Sequence, residues 1–212
     1  MSLSYVHHFQ PGTAAEAPPL LLLHGTGGTE LDLLPLGSTL SPGSALLSPR
    51  GNVNEQGAAR FFARRSEGIF EPAEVTQRTH ELADFIVAAT EKYGIAPERL
   101  IAVGFSNGAN IAATLLQLRS VVIGGAVLFR PMVVIDSPAA PRSLEGKRVL
   151  ISSGTQDPLV PSDHPHRLAA HFRVGGADVA LHTHGAGHGL IQVDITAAQD
   201  WFRSARVRHA AI

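Results

Sequence analysis

Six short apolar runs, at residues 20–24, 45–48, 100–105, 126–129, 149–152 and 179–184, alternate along the chain with longer amphipathic or alanine-rich stretches. This alternation limits the possible folds more than any other feature. Most of the runs lack the apolar–polar alternation of a half-exposed strand. They are near-continuous Leu, Val and Ile segments, as expected of parallel strands covered on both faces. The stretches between them read as helices. Residues 72–93 place Val75, Leu82, Phe85, Ile86 and Ala89 on one face, and Gly94 and Pro97 stop the pattern. Further helices are expected at 107–118, 163–172 and 190–205. Exchange of strand and helix to the end of the chain predicts an α/β architecture, with a mostly parallel central sheet and helices on both faces.

A chain of 212 residues with 44% apolar and 17% charged residues suits a single domain over 1–212 with a sizeable core. Its formal net charge of −1 offers none of the basic surface that nucleic-acid binding needs, so no nucleic-acid partner is expected. Absence of cysteine excludes disulfides, thiolate metal sites and a cysteine nucleophile. No run approaches the roughly 20 apolar residues of a membrane span, and residues 1–12 carry no leader-like pattern. A cytoplasmic location without membrane insertion is therefore expected.

Within this frame the chemistry centres on Gly104-Phe105-Ser106-Asn107-Gly108, a G-x-S-x-G between an apolar strand and a helix. A serine there sits on a strained turn, and its flanking glycines are required because side chains would clash where the turn closes on its neighbours. The helix start behind it adds free N–H groups and a positive dipole end, which suit an anionic intermediate. Serine becomes a nucleophile only when an imidazole held by a carboxylate takes its proton. Both should follow the serine in the order Asp, then His.

Asp157 lies just past the run 149–152, at the end of a parallel sheet where such sites assemble. Asp163 competes for the role but has the look of a helix N-cap. Eleven histidines make the base harder to choose. His188 stands out in the glycine-rich His184-Gly185-Ala186-Gly187-His188-Gly189, which follows the last strand. His182 and His184 share a strand face, as a metal pair would, but no third ligand is apparent and no metal is expected. Oxyanion donors are expected from the backbone N–H of Asn107 and from the glycine-rich His24-Gly25-Thr26-Gly27-Gly28, with Thr26 as the donor. His24 fits a structural role, pinning that loop by hydrogen bonds.

LLLHGTGG near the start, GFSNGAN in the middle, and SGTQDPLVP and HGAGHGL towards the end together resemble the phospholipase/carboxylesterase family of α/β-hydrolases, which includes the acyl-protein thioesterases. The resemblance covers nearly the whole chain. It implies the α/β-hydrolase fold, hydrolysis of carboxylic esters or thioesters, no cofactor, and a possible homodimer. It also implies Ser106, Asp157 and His188 as the triad, with Thr26 and Asn107 as oxyanion donors. Thioesterase members carry HGLGD in the first loop and glutamine after the serine. Here HGTGG and Asn107 stand in those places and look more like bacterial carboxylesterases of broad specificity.

A serine carboxylesterase acting on short to medium chain esters through an acyl-enzyme intermediate is thus expected. An acyl thioesterase or lysophospholipase would use the same triad, and a ligand-binding protein could keep the fold without turnover. Residues 131–147 are too few for a cap domain, so cover over the site falls to 49–71, read here as the longest loop. Its Phe61, Phe62 and Phe70 are expected to line an acyl pocket, with Met132, Leu159 and Leu190 as further walls. The alternative for each phenylalanine is packing of the loop onto the core.

Overall fold

A computed structural model describes the backbone of residues 3–209 and the side chains of residues 3–204. Seven strands form one sheet in the order β1-β3-β2-β6-β7-β8-β9. They are β1 (His7–Gln10), β2 (Leu20–Leu23), β3 (Leu46–Pro49), β6 (Ile101–Phe105), β7 (Gly125–Phe129), β8 (Arg148–Gly154) and β9 (Asp178–His184). All neighbouring pairs are parallel except the edge pair β1–β3. Strands β4 (Val53–Glu55) and β5 (Ala58–Arg60) form a separate antiparallel hairpin. The helices are α1 (Leu34–Leu40), α2 (Pro72–Tyr93), α3 (Asn107–Leu118), α4 (His164–Val174) and α5 (Gln192–His209).

Side chains of the central strands alternate between two cores. Leu21, Leu23, Ala102, Leu128 and Ile151 face the helices α2, α3 and α4. Leu20, Leu22, Val103, Val127 and Leu150 face the opposite core, which contains Leu40 of α1 and Trp201 and Phe202 of α5. Both sheet faces are covered, which is why the strands read as unbroken apolar runs. The arrangement is the α/β-hydrolase fold. Residues 130–147, between β7 and β8, contain turns but no helix, so no cap domain is inserted there. No helix among the described residues is long and apolar enough to cross a membrane.

One expectation needs correction. Residues 49–71 are not a bare loop, because 53–60 fold into the β4–β5 hairpin. Its two-residue turn, Gln56-Gly57, has φ of 53° and 92°. Paired positive φ values match the twist of a tight hairpin, and glycine at the second position accommodates this at least strain.

Candidate active site

Ser106 sits between β6 and α3 with φ 53° and ψ −116°, a conformation a non-glycine residue adopts only under constraint. The constraint comes from both sides. Its N–H donates to the Phe129 carbonyl at the end of β7 (2.9 Å), and its carbonyl accepts from Asn110 N–H (2.9 Å). A Cβ on Gly104 would lie 2.5 Å from the Gly108 carbonyl oxygen, and one on Gly108 would lie 1.9 Å from the Leu23 carbonyl oxygen. Only glycine permits either approach, so the sharp turn lifts the serine hydroxyl to the C-terminal edge of the sheet.

The ends of β8 and β9 meet this hydroxyl. Gly154 closes β8 so tightly against the next loop that a Cβ there would stand 2.1 Å from the Ala186 carbonyl. Thr155 N–H donates to His184 O (2.9 Å) and Gln156 N–H to Ala186 O (3.0 Å), tying the Asp157 and His188 loops together. His188 Nδ1 is 2.8 Å from Asp157 Oδ2, and His188 Nε2 is 2.9 Å from Ser106 Oγ. A carboxylate only accepts, so Nδ1 carries the proton and Nε2 is left to accept from the serine hydroxyl. The other carboxylate oxygen of Asp157 accepts from Leu159 N–H (2.8 Å) and Val160 N–H (3.3 Å), which fixes its orientation. Asp163 stands at the N-cap of α4 and pairs with Arg167, away from this relay.

Thr26 and Asn107 line the same cavity as Ser106 and His188. Neither backbone N–H meets an acceptor among the described residues. Both residues are braced by the 49–71 segment, a role the sequence did not reveal. Arg60, nearly buried at the end of β5, donates from Nη1 to Thr26 Oγ1 (2.5 Å) and from Nε to Phe62 O (3.0 Å). Burial pushes the Arg60 pKa down, opposed by the nearby Glu55 carboxylate. Gly27 N–H donates to Ala59 O (2.9 Å), and Phe61 N–H to Asn107 Oδ1 (2.8 Å). His24 pins the loop as expected: Nε2 accepts from Gly51 N–H (2.9 Å) while Nδ1 donates to Gly25 O (2.6 Å). Burial lowers its pKa, in keeping with this neutral, bridging imidazole.

The cavity measures about 260 Å³. Phe70, Met132 and Leu159 line it, together with Phe105, Asn110 and the charged Arg60, Arg64 and Glu67. Phe61 and Phe62 do not. They are almost wholly buried in the core with α2 and α3, Phe61 against the His24 ring at 4.9 Å and Phe62 edge-on to Phe70 at 5.3 Å. The core claims them because consecutive rings after β5 dive inward where the segment rejoins the domain. Leu190 is likewise no part of the lining and packs on the opposite core, beside α5. A larger groove of about 520 Å³ opens at the other end of the sheet, lined by Phe9, Lys92, Tyr93 and Arg99 among others, and includes neither Ser106 nor His188.

Comparison with known proteins agrees with this architecture. MhqD of Bacillus subtilis (strain 168), whose name assigns it to the hydrolases and nothing finer, is 43% identical over 201 residues, covering 95% of this chain and 99% of that one. A Bacillus cereus carboxylesterase is 41% identical, with a TM-score of 0.91 and 95% of each chain covered. A carboxylesterase from Mesorhizobium loti is 29% identical, with a TM-score of 0.83 and 90% of each chain covered. Residues 55–205 match the dienelactone hydrolase family, and that match takes in the serine turn and both loops that face it. The chain belongs to the dienelactone hydrolase family.

Proposed function

We propose that the protein is a serine carboxylesterase with Ser106 as nucleophile, His188 as general base and Asp157 as the carboxylate that orients it. The reading rests on one observation above all, the continuous relay Ser106 Oγ–His188 Nε2, His188 Nδ1–Asp157 Oδ2, at 2.9 and 2.8 Å. In the acylation step Ser106 Oγ bonds to the ester carbonyl carbon as its proton passes to His188 Nε2. The oxyanion is met by the N–H groups of Thr26 and Asn107, aimed where charge develops. Collapse of the tetrahedral intermediate breaks the bond to the alcohol oxygen, which leaves with the proton from His188. Water then repeats the sequence on the acyl-enzyme, releasing the acid and restoring the serine. No cofactor enters these steps.

A cavity of about 260 Å³ is small beside the roughly 300–1,000 Å³ of drug-sized ligand sites, which favours short to medium acyl groups. Ser106→Ala is expected to abolish hydrolysis of an activated aryl ester, a loss on the order of 10⁶ in kcat, with an unchanged thermal melt. A chain-length series from acetate to palmitate tests the acyl assignment. Peak kcat/KM at the short end supports it, and a preference for palmitate defeats it.

A further inference from the structure

Arg130 follows β7 directly and is the bulkiest completely buried side chain among the described residues. Its φ of 56° lies in the left-handed region, a conformation retained only where the surroundings dictate it. A guanidinium in a core is costly unless its donors are met. Here all five N–H groups are engaged. Nη1 and Nη2 form a bidentate pair with Asp194, each at 2.7 Å, and that carboxylate is equally buried. Nη1 also donates to the Ser152 carbonyl (3.2 Å). The remaining two donors go to Gly187 O from Nε (3.0 Å) and to Gly189 O from Nη2 (2.9 Å).

Those carbonyls belong to the residues on either side of His188. Backbone bonds from Thr155 and Gln156 tie down the 184–186 side of that loop, but Gly185, Gly187 and Gly189 contribute no side chains and glycine has the most backbone freedom to lose, so the stretch around His188 depends on what grips its carbonyls. The residue before Arg130 supplies the carbonyl that fixes Ser106 N–H. Residues 129 and 130 therefore hold both partners of the Ser106–His188 hydrogen bond, one through a carbonyl and the other through a guanidinium. Asp194 is itself fixed by Ser152 Oγ (2.7 Å) and by Ile191 N–H (2.8 Å), and His184 Nε2 lies 2.9 Å from its Oδ1 without hydrogen-bonding geometry.

We propose that Arg130, oriented by Asp194, is a positioning residue that sets the His188 imidazole against Ser106 through the two glycine carbonyls flanking the histidine. This builds on the reading of Ser106 and His188 as nucleophile and base. Lysine at 130 keeps the charge but is a point donor that cannot span a carboxylate and two separate carbonyls. Arg130→Lys is expected to lower kcat about 10- to 100-fold, the scale of a small misplacement of a catalytic group, with KM within about twofold. The downfield Nδ1 proton signal of His188, assigned by its absence in His188→Ala, should broaden or vanish in the same variant. If Arg130→Lys fails to fold, Asp194→Asn probes the same link and should show a smaller loss confined to kcat.

A variant that melts lower yet keeps wild-type kcat and an unchanged Nδ1 signal, or that loses only KM, reduces Arg130 to packing and overturns the proposal. Ester hydrolysis surviving in Ser106→Ala or His188→Ala is a different failure, of the nucleophile and base assignment itself. The two are told apart in one set of assays.

Discussion

The loop after β8 and the first turn of α5 each bring an aspartate to a histidine. Asp157 Oδ2 lies 2.8 Å from His188 Nδ1, and Asp194 Oδ1 lies 2.9 Å from His184 Nε2. Distance does not separate them, but their other partners do. Asp157 meets two backbone N–H groups and no guanidinium, so the imidazole is its principal polar partner. Asp194 is saturated by Arg130, Ser152 and the Ile191 N–H, and the contact with His184 lacks hydrogen-bonding geometry. A carboxylate can tune a histidine only with the lone pairs its neighbours leave free. Both aspartates are buried, but Asp157 is left free to serve its imidazole, as the proposed triad requires, whereas Asp194 is committed to Arg130 and its neighbours.

Exchanging the histidines tests this contrast hardest. His188→Ala should lower kcat by roughly five to six orders of magnitude, as loss of the base does in comparable triads. Asp157→Asn should cost about 10⁴, since the amide favours the wrong imidazole tautomer. Steady-state kinetics on an aryl ester reads both, and a mild His188→Ala beside a severe His184→Ala would reverse the assignment.

Asp194→Asn sharpens the same contrast through stability. Removing one partner of a buried ion pair typically costs about 3–5 kcal/mol, because the other charge is left uncompensated. Burial by itself raises the Asp194 pKa, but the hydrogen bonds from Arg130, Ile191 N–H and Ser152 outweigh it and hold the value below the usual carboxylate range. A depressed folded-state pKa means the unfolded chain takes up the proton first. This contribution is therefore complete above about pH 4 and is lost as pH falls through the lower folded value. Denaturant midpoints measured from pH 7 to pH 3 should show that acid loss in the wild type and a smaller one in Asp194→Asn. Equal slopes would mean the pair is not what acid breaks.

The smallest effect belongs to His184→Ala. Its ring touches neither Ser106 nor Asp157, so kcat/KM should stay within about twofold of wild type.

Much of this contrast was legible from the residues. Helices 72–93 and 107–118 fall where the apolar periodicity and the Gly94 stop put them, and six of the seven strands of the central sheet lie within two residues of the apolar runs. Three elements carry little sequence signal. His7–Gln10 has no apolar run to mark it, because it is an edge strand, and Leu34–Leu40 hides behind Pro35 and Gly37 in only seven residues. The hairpin at 53–60 is short and polar, with Gln-Gly as its one turn signal. Sequence order and glycine placement brought Ser106, Asp157 and His188 into view, but Arg130 stands one residue past the apolar run 126–129, before a proline and outside every motif. An arginine directly after a buried parallel strand, at the edge where the loops gather, was the available clue. The direction a phenylalanine faces has no comparable signature, so Phe61 and Phe62 could be resolved from Phe70 only by packing.

The approach of Gly108 to the end of β2 also has a mechanical consequence. Peptide backbone rests on peptide backbone there, with no space for a side chain between Gly108 and the Leu23 carbonyl. Such a bearing has no rotamers, so its spacing is set by atomic radii alone and does not drift as the surrounding core repacks. Asn107 rides on one side of the bearing and the strand leading to Thr26 on the other. Heating or mutation elsewhere in the sheet would then shift the two N–H groups together, preserving the gap between them while their common mount moves.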